Sequence, residues 1–476
     1  MFSIIIIAGN KHSVNTDRKE TSMAYGIMKY CISRDRMPDL SAYLDGQTRM
    51  AKLLRNAALF RIRNHFTAQQ KESLTDNEQE VEDEIARAVA AGMKQPKAML
   101  TYEELWKIMT VCSNPDYYAG LSMQCAQNVL KQACRDFKGW LAALKAYRIH
   151  PEKFLGKPRM PGYVKSDQAI AKYTNQDCRI QPDGSLKFPK TKQRLPLGHA
   201  FPDGAPLKEV QVIPEYGSFR VIVIYETEDS TVPSPGTYHA SIDFGVNNLA
   251  AIVTDRDIPC RIYKGGAVKA ANQWYNKRVS RLLSVMMKGK DPDEYHCPQT
   301  KQMTALARRR KYFLEDYFHK TAKDIVGWCV QNGIGTLVCG HTKLWKQKAD
   351  TGKRNNQAFV QISFNNLMRI LEYLCARAGI LFLEQEESYT SQASAVDRDP
   401  VPVFDGNHKP DVHFSGSRIR RGLYRTADGT CVNADLNGAA NILRKAVPGA
   451  FAGMDVKAIL RNINVVRFGN LYKVSG

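Results

Sequence analysis

The sequence predicts a multidomain α+β chain, and three observations predict it. Residues 46–150 are mostly helical in pattern, while residues 165–230 break into short alternating strands. From residue 238 onward, three strands are followed by helix, strand, helix, strand and helix. At 476 residues the chain is long enough for two to four domains with substantial cores. Apolar residues at 43% and charged residues at 24% exclude a disordered or collagen-like chain. No apolar run approaches 18 residues, which excludes a membrane-spanning helix.

The first half reads in order as follows. Residues 2–8 are apolar but lack a basic start and a small-residue cleavage site, so they read as a strand rather than a signal peptide. Residues 20–33 form a second strand region. Met50, Leu53, Leu54, Ala57 and Phe60 then fall at helical spacing. Acids crowd residues 72–84, as in a solvated loop or an exposed helix. Thr101 and Glu104, just before Leu105 and Trp106, have the spacing of a capping box. Met123, Ala126, Val129 and Leu130 share one face of a helix over 121–147. Residues 156–163 cannot be helix, because two prolines and two glycines interrupt them. The runs at 210–213 and 219–225 belong to a small β domain, and 231–237 reads as a linker.

The second half has a clearer order. Strands are expected at 238–244, 249–254 and 260–263, then a long basic helical stretch from about 268 to 332. A fourth strand (336–339), a helix (364–378) and a fifth strand (380–386) follow. An irregular segment (391–432) precedes a last helix at about 436–446. The first three strands can pair antiparallel, and the later crossovers require parallel pairing. This is the connection order of a ribonuclease H-like fold.

Charge and cysteine usage point to a partner and a compartment. A net charge of +21 favours a polyanion, most often nucleic acid. The eleven cysteines are scattered and include no C-x-x-C pair, so a zinc ribbon is not expected. Thiols without a signal peptide fit a reducing, cytoplasmic setting.

Two acids stand where chemistry is expected. Ser241-Ile-Asp-Phe-Gly-Val-Asn-Asn248 places Asp243 within an apolar strand, where a carboxylate is costly unless paired, hydrogen-bonded or bound to metal. Asn433-Ala-Asp-Leu-Asn-Gly-Ala-Ala-Asn441 starts the last helix with Asp435, and sets Asn437 and Asn441 on one face. In this topology the two acids can converge at one sheet edge. Hard oxygen ligands suit Mg²⁺ or Mn²⁺, and two such ions can hydrolyse a phosphodiester.

These segments resemble the RuvC nuclease domain of the TnpB transposon-encoded nucleases and the miniature type V CRISPR (Cas12-like) effectors. The resemblance also rests on Glu386-Glu-Ser-Tyr-Thr-Ser-Gln392, on Phe414-Ser-Gly-Ser-Arg-Ile-Arg-Arg-Gly-Leu-Tyr424 and on the segment from Gly340 to Gln347 that contains Leu344, Trp345 and Lys346. It implies an RNA-guided DNA endonuclease, with guide RNA and double-stranded target DNA as partners. It also implies a helical recognition domain inserted in a wedge β-barrel, followed by the RuvC domain. The expected division is 1–45 and 156–235 for the wedge, 46–155 for recognition, and 236–390 with 433–476 for RuvC. A target-nucleic-acid-binding insertion fills 391–432.

Two departures from the family pattern matter. Most members carry a middle catalytic Glu at the end of the fourth strand, where this sequence has Cys339, Gly340 and His341. Glu386 and Glu387 end the neighbouring fifth strand, about 4.8 Å away, within reach of a Glu side chain. Successive strand residues face opposite sides, so one of the two is expected to join Asp243 and Asp435 as a metal ligand. Glu387 is favoured because it lies nearer the strand's carboxyl end, with Glu386 as the alternative. Without any such acid, the chain would be a nuclease-inactive RNA-guided DNA-binding repressor. The second departure is the missing zinc ribbon, which leaves Arg418, Arg420 and Arg421 as a phosphate-binding edge. Further nucleic-acid contacts are expected from Lys157, Arg159, Arg308, Arg309, Arg310, Lys311, Trp345 and Lys346.

Overall fold

The computed structural model describes residues 3–7, 24–69, 71–199, 201–227, 232–289, 300–341, 362–403 and 412–468. The chain divides into two compact units, Met1–Asp229 and Ser230–Gly476.

In the first unit, β1 (Ser3–Ile7) pairs antiparallel with β2 (Ala24–Ile32), and four helices follow. Helix α1 (Pro38–Ala68) opens with Pro38 in its first turn, where the missing N–H costs nothing. Helices α2 (Asp76–Ala90) and α3 (Tyr102–Val111) each begin with a reciprocal capping box, Thr75 with Glu78 and Thr101 with Glu104. The acid-rich segment is therefore largely a helix with one buried face: Glu78, which closes the cap, and Glu84, which pairs with Arg61 at 2.6 Å, are buried, while Asp76, Glu80 and Asp83 are exposed. Ser122 caps α4 (Met123–Ile149). Leu44, Leu54 and Ile62 of α1 pack with Val81 and Ile85 of α2, Ile108 of α3 and Leu130 and Phe137 of α4.

The β part of this unit corrects one expectation. Strands β3 (Ala171–Thr174), β7 (Leu207–Glu215) and β8 (Ser218–Thr227) join β1 and β2 in an open sheet of order β1-β2-β8-β7-β3. The short strands β4 (Arg179–Ile180), β5 (Ser185–Lys187) and β6 (Arg194–Pro196) pair only with one another. Among the described residues no ladder joins β1 to β3, so this sheet is open and the closed barrel expected of the region is not formed. The physical reason is length: strands of two or three residues cannot supply the continuous ladder that closure requires. Tyr216 and Gly217, both at positive φ, form the two-residue turn between β7 and β8.

The second unit is built on a six-stranded sheet. It starts with β9 (Tyr238–Phe244), β10 (Asn248–Thr254) and β11 (Cys260–Lys264), paired antiparallel in sequence. Two long helices follow, α5 (Gly266–Met287) and α6 (Lys301–Gln331), in place of one continuous basic stretch. Strand β12 (Ile334–Gly340), helix α7 (Phe364–Arg377) and strand β13 (Leu381–Gln385) come next, with β12 parallel to both β9 and β13. Three short strands, β14 (Ser417–Arg420), β15 (Leu423–Arg425) and β16 (Cys431–Asn433), form a separate small sheet. Helix α8 (Ala434–Ala446), helix α9 (Val456–Arg461) and strand β17 (Ile463–Val466) complete the described chain. Strand β17 adds to β11 in parallel, giving the order β13-β12-β9-β10-β11-β17.

The period-two alternation of β9 decides which side carries chemistry. Ala240, Ile242 and Phe244 enter a core with α6 and α7. Ser241 and Asp243 face the other way, toward α8. The Ser241 hydroxyl donates to the Ala439 carbonyl at 2.6 Å and rivets that helix to the strand. On the same side, Val338 of β12 packs with Leu436, Ala440 and Ile442 of α8.

Candidate active site

Asp243 leaves the apolar run of β9 at its carboxyl end, beneath α8. A Cβ added to Gly438 would lie 2.7 Å from Asp243 Oδ2, so the glycine in mid-helix is what makes room for the carboxylate. Asp243 is half-buried. Loss of water, together with the neighbouring Glu387 and Asp435, raises its carboxyl well above the usual carboxylate range; Arg418 opposes that rise.

Asp435 sits in the first turn of α8. Asn433 caps the helix, its side-chain oxygen accepting from the backbone N–H groups of Asp435 and Leu436 at 3.0 and 3.1 Å. Asn248 donates its amide N–H to Asp435 Oδ2 at 2.7 Å, and Lys264 donates to Asn248 Oδ1 at 2.9 Å. Arg418 approaches Asp435 Oδ1 at 3.5 Å.

The two glutamates after β13 point to different partners. Glu386 accepts from the Lys445 ammonium at 2.5 Å and from the Ser388 N–H at 2.6 Å. Partial burial opposes its ionisation, yet these bonds hold its carboxyl below the usual range. Glu387 instead lines the cleft with Asp243 and Asp435. Its carbonyl accepts from the Thr390 hydroxyl at 2.8 Å, in a sharp turn where Tyr389 has φ +64°. Asn437 and Asn441 anchor the following loop to α8, donating to Ala393 at 2.8 and 2.7 Å. The shared helix face of these two asparagines thus serves to fix the loop that carries Glu387.

The position of Glu387 has a direct counterpart on β12. Gly340 follows Val338 by two residues and so faces α8, as Asp243 does. A Cβ at 340 would meet Glu387 Oε2 at 2.8 Å and Ile442 Cδ1 at 2.5 Å. The Glu387 carboxylate therefore stands beside the place a side chain from the end of β12 would fill. His341 is paired with Glu384 at 2.9 Å.

The three carboxylates belong to a cleft of about 560 Å³, also lined by Asn248, Ser391, Arg418 and Arg421. Among the described residues, no group of three or more His, Cys, Asp or Glu side chains is drawn close enough together to hold a metal ion as it stands. Asp243, Glu387 and Asp435 instead line one open cleft, and carboxylate oxygens are the donor type that suits a hard divalent cation.

The expected nucleic-acid contacts are placed as follows. Lys157, Arg159, Arg309 and Arg420 are exposed. Arg309 stacks over Trp274 at 5.2 Å and Arg310 over Tyr275 at 5.1 Å, joining α5 to α6. Arg310 also donates to Asn272 at 2.7 Å, and Lys311 lies 4.0 Å from Glu315. Arg308 lies half-buried on α6. Arg418 and Arg421 line the cleft. Trp345 and Lys346 lie outside the described residues. The sequence reading missed Lys264 and Gly438, whose importance comes only from what they face across the fold.

Comparison with known proteins adds to this geometry. A sequence family described as "Probable transposase" matches residues 222–346, and one described as "Cas12f1-like, TNB domain" matches residues 364–442. A TnpB-like protein, ORF457 of Acidianus two-tailed virus, is 25% identical over 215 residues, or 44% of this chain and 42% of its own length. The C-terminal half of the chain is similar to TnpB-like and Cas12f1-like proteins. The chain spans less than half the length of that viral relative. Among solved structures, a Cas12f1–sgRNA–target DNA complex has a TM-score of 0.47 at 13% identity, covering 86% of this chain and 84% of that one. The mini-RNA-guided endonuclease CRISPR-Cas phi3 has a TM-score of 0.42 at 10% identity, covering 89% and 92%.

Proposed function

We propose that the chain is an RNA-guided endonuclease that cuts double-stranded DNA beside a short flanking motif. The observation that carries this reading is the placement of Glu387. It brings a third carboxylate to Asp243 and Asp435 at the spot where β12 ends in Gly340.

Asp243, Glu387 and Asp435 would hold two Mg²⁺ or Mn²⁺ ions. Bound there, the ions would supply an activated water and a stabilised leaving oxygen for phosphodiester hydrolysis. Arg418 and Arg421, at the rim of the same cleft, orient the scissile phosphate through charge-assisted hydrogen bonds. The aromatic–arginine stacks of α5 and α6 hold backbone phosphates, with the guanidinium groups already ordered. Base pairing with the guide supplies sequence specificity, while the protein reads duplex shape and the flanking motif. The helical region 46–155 and the surrounding open sheet take the recognition and wedge roles. Residues 391–432 take the target-binding role without a zinc ribbon.

The test is to sequence the RNA that copurifies and then to challenge the complex with a plasmid bearing the matching target. Asp243→Ala and Asp435→Ala should abolish cutting and leave RNA and target binding intact, because removing an anion does not weaken a grip on a polyanion. Retained cutting by either variant in Mg²⁺ contradicts the assignment.

A further inference from the structure

A polar chain that neither the similarity to known proteins nor the three carboxylates account for ends at Asn248 and Asp435 in the cleft. Lys264 is the last residue of β11, and Asn248, buried, is the first of β10; the two are cross-strand partners. The Lys264 ammonium donates to Asn248 Oδ1 at 2.9 Å, and Asn248 Nδ2 donates to Asp435 Oδ2 at 2.7 Å. The Lys264 backbone is itself pinned, because the Tyr317 hydroxyl of α6 donates to its carbonyl at 2.6 Å.

The chemistry of this chain allows one arrangement only. An ammonium can only donate and a carboxylate can only accept, so the amide between them must turn its oxygen to Lys264 and its NH₂ to Asp435. Remove the lysine and the amide can flip, presenting its own oxygen to the carboxylate. The amide also keeps the Lys264 ammonium off Asp435 Oδ2, while Arg418 stands 3.5 Å from the other oxygen, Oδ1. A lysine touching Asp435 directly would add a second cation beside that of Arg418, whereas a neutral donor fixes Oδ2 without adding charge. Carboxylate ligands are commonly oriented this way by an outer hydrogen-bond donor, and loss of such a partner weakens metal binding about 10- to 100-fold.

We propose that Lys264 and Asn248 form an orienting relay for Asp435, and that both are positioning residues of the metal site. This inference rests on the reading of the cleft as a metal centre, and the test separates the two.

The test is Mn²⁺ binding to the full-length protein freed of nucleic acid, read by electron paramagnetic resonance. Melting curves serve as the check on folding. Asp243→Asn and Asp435→Asn should remove the tight site. Asn248→Leu should weaken it about 10- to 100-fold. Lys264→Met should weaken it at least about threefold in the parent and add nothing in the Asn248→Leu background, as expected for one coupled unit. Lys264→Arg, which keeps a donor, should bind like the parent. If Asn248→Leu fails to fold, the two Lys264 variants carry the test. If both Asp variants bind Mn²⁺ like the parent, the metal reading itself falls. If they lose the site while Lys264→Met binds like the parent, the relay is wrong. Strictly additive losses from Lys264→Met and Asn248→Leu also overturn it.

Discussion

Gly438→Ala separates stability from chemistry, because the two should move in opposite directions. Gly438 lies inside α8, where alanine is favoured over glycine by about 1 kcal/mol. On helix propensity alone the substitution raises the melting temperature of a unit this size by about 2–4 °C. The new methyl, however, would start 2.7 Å from Asp243 Oδ2, and ordinary contact begins near 3.4 Å. The carboxylate must retreat by about 0.7 Å. Displacements of about 1 Å in a reacting constellation cost on the order of 10²-fold in rate, or about 2.7 kcal/mol of barrier. The assay is single-turnover plasmid cleavage with the matching guide, beside target binding and a melting curve. The expected result is a cleavage loss of that order with binding kept and melting unchanged or higher. Parent-level cleavage refutes the proximity of Gly438 to a working Asp243. A large fall in melting temperature would instead mean that the methyl damages packing.

Two further predictions concern the charge on Asp243 and the metal content of the chain. Asp243 has its carboxyl raised by burial and by Glu387 and Asp435. A raised acid binds its proton more tightly in the folded state, so its contribution to stability is complete below the ordinary Asp value of about 3.9 and is lost as pH climbs. Without divalent ions, Asp243→Asn should therefore melt above the parent at pH 8 and level with it near pH 4, as measured by calorimetry; equal melting at both pH values would contradict the crowding of charge. Metal analysis should find no stoichiometric zinc, since Cys431 stands exposed on β16 with no C-x-x-C pair in the chain. One tightly held zinc per chain would show that a scattered ligand set had been overlooked.

Much of the fold and some of the site were legible from local pattern. Thr101 and Glu104 announced α3 because a capping box is contained in four residues. Asp243 stood out because an acid in an apolar strand demands an explanation. Glu387 could be placed because parallel neighbours β12 and β13 bring their carboxyl ends together. Which of the two glutamates faces the cleft was legible only in part. Both lie just past the end of β13, where strand alternation no longer applies and Lys445, 59 residues on, takes Glu386. The openness of the first unit's sheet was hidden because strands of two or three residues carry too little pattern to show where they pair. Strand β17 was missed for the same reason, being four residues long. Lys264 and Gly438 acquire meaning only through residues distant in sequence, Asn248 and Asp243, which no single-sequence periodicity reveals.

The most direct measurement is target cleavage by Glu387→Gln and Glu386→Gln, each loaded with the copurifying guide and assayed in Mg²⁺ and in Mn²⁺, with target binding measured in parallel. Gln keeps the shape and removes the charge, so any loss reports on the cleft and not on packing. Glu387→Gln should lose cleavage in both metals while binding target like the parent. Glu386→Gln, whose carboxylate serves Lys445 and Ser388, should keep cutting. Parent-level cleavage by Glu387→Gln would contradict the placement of the third carboxylate, and with it the centre proposed for this chain.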